Sequence, residues 1–218
     1  MTLEQKHRPQ TWDQYVGQAK AVAKVRRIID RPGFDRGAFW IEASGANNSG
    51  VGKTTLGWLI ARQLADDFFI TELSGSKVDK RAVEEIESAA HLTTWGTKPF
   101  RVWIVNESHA ISQGAVDAFL TFLDPLPKNC VVIFTTTRAV DDNLFGDHDS
   151  GPFASRCHQV TLTNQGLAEA FAARAREIAL AEGLDGQPLE TYVKRVKLRK
   201  NNLRAVLMDI EAGEMLTD

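Results

Sequence analysis

A glycine-rich run that ends in a lysine and two threonines could hold a phosphate group. Residues 50–55 read Gly-Val-Gly-Lys-Thr-Thr and lie between a predicted strand and a predicted helix. Glycines let backbone N–H groups turn toward phosphate, and a helix N-terminus adds a partial positive charge. Lys53 would then reach the β- and γ-phosphates of a nucleotide, and the Thr54 hydroxyl would ligate Mg²⁺. The run predicts a site for ATP and Mg²⁺ formed by Asn48, Ser49, Gly50, Val51, Gly52, Lys53, Thr54 and Thr55.

The match to the usual phosphate-loop pattern is imperfect. That pattern requires a glycine five residues before Gly52, where this chain has Asn47, and the nearest glycine is Gly45. The loop therefore has either an asparagine in place of that glycine or a two-residue insertion. Asparagine tolerates left-handed backbone angles better than other non-glycine residues, so the turn can survive. The alternative is a glycine- and serine-rich loop with a chance lysine. The strand before the run and the helix after it favour the nucleotide site.

A polar pair, Asn106 and Glu107, directly follows the apolar run 102–105. We expect that run to form the strand beside the one leading into the phosphate loop, where a P-loop ATPase places a metal-side carboxylate and a glutamate that orients water. Glu107 matches the glutamate, and its alternative is a solvated carboxylate at a strand end. Asn106 can accept a hydrogen bond from a metal-bound water but carries no charge. We therefore expect weakened Mg²⁺ binding or turnover.

The elements that must position these residues alternate between strand and helix. Short runs rich in β-branched and aromatic residues predict strands covered on both faces, and runs with helical spacing lie between them. This alternation is typical of a parallel α/β sheet. The predicted strands are 39–43, 68–73, 102–105, 131–135 and 159–162, and the predicted helices are 54–66, 79–90 and 114–123.

After residue 163 the pattern is helical only. Asn164 is predicted to cap a first helix that ends near Gly183, and Asn202 is predicted to cap a last helix that ends before Gly213. A second helix lies between them. These patterns predict a sheet domain at 1–163 and a small helical domain at 164–218.

The composition is that of an ordinary globular protein. The chain has 218 residues, of which 43% are hydrophobic and 25% charged, with a formal net charge of −2. Two cysteines exclude a four-cysteine zinc ribbon and a multi-disulfide scaffold. No run approaches the roughly 20 apolar residues of a membrane helix, and the N-terminus is polar. We expect a protein without membrane association in a reducing cytosol, that of a bacterium or a virus-infected cell.

Several motifs occur in an order that resembles the AAA+ ATPases of the clamp-loader family, which includes replication factor C small subunits and the bacterial gamma/tau subunit. The run 6–18, Lys-His-Arg-Pro-Gln-Thr-Trp-Asp-Gln-Tyr-Val-Gly-Gln, looks like the N-terminal box of that family. The four residues from Asn106 to His109 look like its D-E-A-H segment, and 155–157 is a literal Ser-Arg-Cys motif. The run 201–204 resembles its G-D-L-R motif. The resemblance extends from residue 4 to about 213.

The resemblance implies a fold and a set of site residues. The fold would be α/β, a P-loop NTPase AAA+ core with a five-stranded parallel sheet, followed by a small α-helical lid domain. ATP and Mg²⁺ would be the cofactors. Thr137, in the run 135–137, would read the γ-phosphate, and Arg156 would complete the ATP site of a neighbouring subunit. The remaining implied nucleotide contacts are Val16 and Gly17 at the base and Arg204 in the lid.

In the resembling family, DNA is tracked through its backbone by the first turns of two helices. The matching residues here are Lys77, Lys80, Arg81 and Gln113, which suit phosphate contacts without sequence readout. The alternative is a solvated charged helix face. A second basic run at 194–204 is better explained as an exposed or subunit-interface face than as a DNA contact.

The resemblance also implies assembly. One chain offers both Lys53 and Arg156, so a head-to-tail ring or spiral of roughly five to seven copies is self-consistent. The sequence shows neither the gamma/tau zinc insert nor a collar domain after the lid, and we expect assembly through AAA+ contacts alone. DNA is the expected partner, and a sliding clamp or another replication protein is a further candidate.

Three functions remain open on these grounds. The leading hypothesis is a clamp-loader-like AAA+ ATPase that acts on DNA in replication or repair. The second is an ATP-binding structural or adaptor subunit with weak or no hydrolysis, which Asn106 and the altered phosphate loop favour. The third is a helicase-loader or branch-migration protein of the same fold, against which the Ser-Arg-Cys motif argues.

Overall fold

Five parallel strands form one sheet in the computed structural model, which describes residues 1–44, 49–137 and 151–217. Their order across the sheet is β2-β3-β4-β1-β5. This confirms the predicted five-stranded parallel sheet, and the observed strands differ from the predicted ones by two residues or fewer at all but one of their ends. The strands are β1 Arg36–Ala43, β2 Ile70–Ser74, β3 Arg101–Asn106, β4 Cys130–Thr135 and β5 His158–Leu162.

The strand order corrects one expectation. We expected β3 to lie directly beside β1, but β4 pairs with both and separates them, so that Ile104, Ile133 and Phe39 lie in one row across the sheet. The hydrophobic pattern of a strand buried on both faces does not specify its neighbour, because every such strand satisfies the same burial. The consequence is that the carboxyl end of β4 lies between the other two.

Helices surround the sheet because its central strands, β1, β3 and β4, are buried on both faces. The edge strands β2 and β5 have exposed polar residues, so the expectation that all five strands are covered on both faces was wrong for these two. The helices around the sheet are α2 Ala19–Ile29, α3 Lys53–Leu64, α4 Lys80–Ala90, α5 Gln113–Leu123 and α6 Gly151–Ser155. Two begin at well-defined N-caps, since Asp79 accepts from the Ala82 N–H at 2.8 Å and Ser112 from the Ala115 N–H at 3.4 Å. The sequence analysis did not predict α2 or α6.

Aromatic side chains form part of the core on one face of the sheet. Trp40 and Phe134 come from the strands, and Phe119 and Phe153 come from α5 and α6. The Phe134 and Phe153 rings have centroids 4.8 Å apart, and the Phe134 and Phe119 rings 5.1 Å, both edge-to-face. Such pairs stabilise a core beyond the area they bury. They hold α5 and α6 against the sheet.

The described residues pack as two compact units. The unit containing the sheet comprises 20–43 and 53–162, and the second unit comprises the described residues of 1–19, 44–52 and 163–218. The second unit, hereafter the lid unit, contains α1 Leu3–Lys6, α7 Ala168–Ala181, α8 Leu189–Leu198 and α9 Leu203–Glu211. The division at 163/164 predicted from the sequence stays a prediction.

The helix signals of the lid unit were mostly confirmed. The Asn202 side chain accepts from the Ala205 N–H at 3.1 Å, and Gly183 and Gly213 have φ of +70° and +83° just past their helices. The prediction for Asn164 was wrong, because α7 begins later and has Leu167 at its cap position with no side-chain cap bond. The Asn164 carbonyl instead accepts from the Asn201 amide at 2.8 Å.

None of the helices in the described part of the chain combines the length and the apolar character required to cross a membrane.

The two tyrosines of the chain generate a prediction about alkaline pH. Burial raises the pKa of both Tyr15 and Tyr192 well above the usual value, and the bond from Tyr192 to Asp185 adds to its shift. A raised folded-state pKa contributes stability that is present below about pH 10, the unfolded value, and is lost as pH rises. We expect no phenolate absorbance from the native protein at about pH 10–11. Absorbance from one phenol in the folded Tyr192→Phe variant there would contradict the raised pKa of Tyr15.

Candidate functional site

The side-chain amide of Asn106 is a centre of hydrogen bonding at the carboxyl edge of the sheet. Its Oδ1 accepts from the Thr54 hydroxyl at 3.0 Å and from the Thr135 hydroxyl at 2.8 Å. Asn106 ends β3, Thr135 ends β4 and Thr54 is the second residue of α3. The structure therefore brings together the two residues predicted to serve Mg²⁺, with Thr135 added between them.

The other face of the same amide contacts a residue that the sequence analysis missed. Asn106 Nδ2 donates to the carboxylate of Glu72 on β2, and the second Glu72 oxygen accepts from Trp58 Nε1 at 3.0 Å. No motif identified in the sequence includes Glu72. The pairing of β2 with β3, which brings Glu72 close, is a property of the folded sheet.

Glu107 follows Asn106 in a left-handed backbone conformation, with φ +54° and ψ +48°. Such angles are unusual for a glutamate and are concentrated at functional sites. Its carboxylate accepts from the Thr137 hydroxyl at 3.4 Å and lies 3.4 Å from His109 Nε2. The side chain is 53% exposed, which leaves it accessible to water. Glu107 and Thr137 are thus brought together, and His109 is a neighbour that the sequence analysis quoted without a role.

Gly75 packs closely against the backbone at Glu107. A Cβ built on Gly75 would lie 2.3 Å from the Glu107 carbonyl oxygen and 3.0 Å from that of Asn106. Both atoms belong to the backbone and have little freedom to move. Only glycine fits at position 75 without displacing the segment that carries Glu107.

Lys53 begins α3 and is buried, with 8% of its surface exposed. A buried ammonium group is stable only with polar or anionic partners. In the same stretch of the described chain Val51 is buried and Thr55 is half-buried, while Asn48 lies outside the described residues.

In the lid unit, two glycines of the predicted phosphate loop have the backbone angles that a phosphate cradle requires. Gly50 has φ +72° and Gly52 has φ +100°. A Cβ on Gly50 would lie 1.9 Å from Asn202 Oδ1, and one on Gly52 would lie 2.8 Å from the Tyr15 ring. The Tyr15 hydroxyl donates to the Gly52 carbonyl at 3.1 Å, a contact that the sequence analysis missed.

The other predicted nucleotide contacts of the lid unit are Val16, Gly17, Ser49 and Arg204, and they differ in burial and in their contacts. Gly17 has φ +83°, and a Cβ there would lie 2.8 Å from Leu167 Cδ2. Val16 is half-buried and Ser49 is exposed. Arg204 pairs with Glu4 at 2.8 Å, so its guanidinium is engaged at α1.

The residues at the sheet edge fit a magnesium nucleotide. Mg²⁺ prefers oxygen ligands and is usually held by few protein groups together with substrate phosphates. The Thr54 hydroxyl and the Asn106 amide oxygen provide such groups, and Lys53 provides a positive charge. Within 1–44, 49–137 and 151–217 there is no cluster of three His, Cys, Asp or Glu that would hold another metal.

Arg156 forms an ion pair within its own chain. Its Nη2 donates to Asp124 Oδ2 at 2.9 Å, its Nε lies 2.9 Å from Asp124 Oδ1, and its Nη1 donates to the Pro152 carbonyl at 2.7 Å. The predicted role of Arg156 in a neighbouring subunit stays a prediction.

The two segments predicted to contact DNA are neighbours. The Ser112 N–H donates to the Val78 carbonyl at 3.3 Å, which places the first turns of α4 and α5 side by side. All four predicted side chains lie near these turns, and three of them bond to acidic residues on the same helix. The pairs are Lys80 with Glu84 at 3.8 Å, Arg81 with Glu85 at 3.1 Å and Gln113 with Asp117 at 3.3 Å, while Lys77 is exposed just before α4.

Comparison with known proteins confirms the resemblance. A family model described as AAA, "ATPase family associated with various cellular activities", matches residues 46–146. The replication factor C small subunit of Archaeoglobus fulgidus is 26% identical over 211 residues, covering 90% of this chain and 60% of that protein. The corresponding protein of Methanosphaera stadtmanae is 25% identical over 193 residues, covering 84% and 54%. The gamma subunit of DNA polymerase III from Buchnera aphidicola is 25% identical over 158 residues, covering 62% and 42%.

Solved structures confirm the fold. RuvB of Thermotoga maritima, titled a Holliday junction branch migration motor, superposes with a TM-score of 0.68 at 18% identity, covering 94% of this chain and 64% of that one. The fold is therefore the P-loop AAA+ fold. The chain spans a little over half the length of the replication factor C relatives it matches.

The close approach at Gly75 generates a prediction about stability. We expect Gly75→Ala to destabilise the protein by about 1–3 kcal/mol, because the new methyl group overlaps the Glu107 carbonyl. Chemical denaturation measures this free energy. The matched control is Gly114→Ala, whose Cβ would lie 3.8 Å from that of Lys80 in ordinary contact, and we expect it to be neutral or stabilising. Equal effects of the two substitutions would show that the overlap at Gly75 is relieved without cost.

Proposed function

We propose that this chain, which has an AAA ATPase domain and the P-loop AAA+ fold, binds ATP with Mg²⁺ and hydrolyses it. One observation carries the proposal. Thr54 and Asn106 share a hydrogen bond at the carboxyl edge of the sheet, with buried Lys53 and partly exposed Glu107 next to them in the chain. This arrangement combines a positive charge, a metal-side oxygen pair and a base that water can reach.

Each residue of this cluster has a role in the proposed reaction. Lys53 stabilises negative charge that develops on the transferred phosphoryl group, as expected for electrostatic catalysis. The Thr54 hydroxyl and Asn106 Oδ1 hold the metal side, where Mg²⁺ when bound neutralises phosphate charge. Glu107 orients the attacking water and accepts a hydrogen bond from Thr137, which keeps its carboxylate in place.

We further propose that the ATPase works in a clamp-loader-like assembly of identical chains on DNA. The relatives at about 25% identity are replication factor C small subunits and a DNA polymerase III gamma subunit, which supports a role in replication or repair. The adjacent first turns of α4 and α5, with Lys77, Lys80, Arg81 and Gln113, form the proposed DNA-backbone contact. In a head-to-tail ring, Arg156 of one copy would act on the site of the next, and a sliding clamp is a candidate partner.

A second candidate function is an ATP-binding adaptor that hydrolyses slowly or not at all. Asn106 favours it, because an amide at the metal side supplies no negative charge. The two candidates differ in turnover and agree on binding. Tight ATP binding with negligible phosphate release from the purified protein, with and without DNA, would select the adaptor.

The ATPase proposal predicts different effects for two substitutions. Lys53→Ala should reduce phosphate release by about 10²–10³-fold because a charge at the transferred phosphate is lost. Glu107→Gln should reduce release by about 10²-fold or more and leave nucleotide affinity near wild type, because only water activation is affected. The exposed residues of α2 and α4 offer matched controls in Lys20→Ala and Glu87→Gln. Wild-type turnover in either active-site variant would contradict its assigned role.

The proposed role of Arg156 predicts complementation between inactive variants. Arg156→Ala should reduce turnover about 10³-fold or more, as for other arginine fingers. A mixture of Lys53→Ala and Arg156→Ala chains should recover part of the activity, since an intact Lys53 site can then face an intact Arg156. Phosphate release from mixed and unmixed samples is the measurement. No recovery in a mixture whose oligomers are shown to exchange subunits would place the action of Arg156 within one chain.

A further inference from the structure

The amide of Asn106 could present either its oxygen or its nitrogen to the metal side of the proposed site. The two orientations have opposite consequences, because an oxygen accepts hydrogen bonds and attracts a cation, whereas an NH₂ group donates and repels one. The hydroxyls of Thr54 and Thr135 do not decide between them, since a hydroxyl can donate or accept. Some other group must select the orientation.

Glu72 selects it. An ionised carboxylate can only accept hydrogen bonds, so the group of Asn106 that faces Glu72 must be Nδ2. Oδ1 is then directed to Thr54 and Thr135, where it accepts from both hydroxyls at 3.0 and 2.8 Å. The Glu72 carboxylate is itself held, because its second oxygen accepts from Trp58 Nε1 at 3.0 Å.

Glu72 also brings a negative charge next to the amide of Asn106, which carries no charge itself. A carboxylate that accepts from an amide N–H polarises the amide and makes its oxygen a stronger acceptor. Groups of this kind, one step removed from a metal ligand, orient the ligand and raise its basicity. Asn106 and Glu72 together thus provide the orientation and the charge that a single aspartate would supply at position 106.

We propose that Glu72 is a positioning residue for Mg²⁺-dependent nucleotide binding, acting through the amide of Asn106. The inference rests on the proposed ATP site and deepens it. It predicts that one substitution toward the usual sequence pattern will not help. Asn106→Asp, which restores the carboxylate typical of P-loop ATPases, would place two carboxylates in contact and should not improve the site unless Glu72 is changed as well.

A four-protein cycle tests the proposal, comprising wild type, Glu72→Gln, Asn106→Asp and the double variant. The readouts are the affinity for a fluorescent ATP analogue across a Mg²⁺ titration and the thermal midpoint without nucleotide. We expect Glu72→Gln to weaken the Mg²⁺-dependent part of the affinity about tenfold, within the range for such partners of a ligand. We expect Asn106→Asp to weaken it as well and to lower the thermal midpoint.

The double variant is the decisive protein. It exchanges the two groups between the strands, because the amide introduced by Glu72→Gln can donate to the carboxylate introduced by Asn106→Asp. We expect it to regain at least wild-type Mg²⁺ dependence and to recover the thermal midpoint. Glu87→Gln on α4 makes the same change of charge at an exposed position and should alter neither readout.

The outcomes distinguish the positioning role of Glu72 from the proposed binding of ATP with Mg²⁺. If wild type binds the nucleotide with Mg²⁺ and the effects of the two substitutions simply add, Glu72 does not position Asn106 and the inference is wrong. A tightening of Mg²⁺ dependence by Asn106→Asp alone would also overturn it. If wild type binds no nucleotide with or without Mg²⁺, the proposed function itself fails, and the role of Glu72 fails with it.

Discussion

The hydrogen bonds of one amide side chain hold the candidate site together. Asn106 bonds to Thr54 on α3, to Thr135 on β4 and to Glu72 on β2, and it ends β3 itself. Such convergence is possible because parallel strands bring their carboxyl ends to the same edge of a sheet, where loops and ligands meet. The position of β4 between β1 and β3 is essential, since it inserts a threonine hydroxyl beside the amide. The site is thus a direct product of strand order.

Backbone geometry contributes a second layer of organisation next to this amide. Glu107 occupies a left-handed conformation, and the absence of a side chain at Gly75 provides the space for its carbonyl. A strained residue of this kind persists only where its surroundings determine it. Gly75 lies just before α4, whose first turn adjoins that of α5. The segment with the basic residues and the segment with Glu107 are therefore in contact through backbone atoms.

The sequence predicted the five strands and three of the four helix-end residues named for the lid unit, because hydrophobic runs and short capping signals are local. It did not predict the partner of Asn106, because Glu72 lies 34 positions away and joins Asn106 only through the pairing of β2 with β3. The Tyr15 contact with Gly52 was missed for the same reason. The predicted strand order was wrong because apolar patterning gives no information about which strands are neighbours. The prediction of Asn164 as a cap was wrong because α7 begins later, with Leu167 at its cap position, and the Asn164 carbonyl accepts from the Asn201 amide.

The ion pair between Arg156 and Asp124 would give the proposed assembly two opposing responses to salt. The Asp124 side chain is 61% exposed, so dissolved ions screen the pair. In the proposed assembly, Arg156 would exchange its ion pair with Asp124 for an interaction with the nucleotide site of a neighbouring copy. Higher ionic strength weakens both interactions. These two effects oppose each other. An estimate from the charges at the interface alone would therefore overestimate how strongly salt dissociates the proposed assembly. The reason is that Arg156 returns to an ion pair with Asp124 of its own chain when it leaves the neighbouring copy.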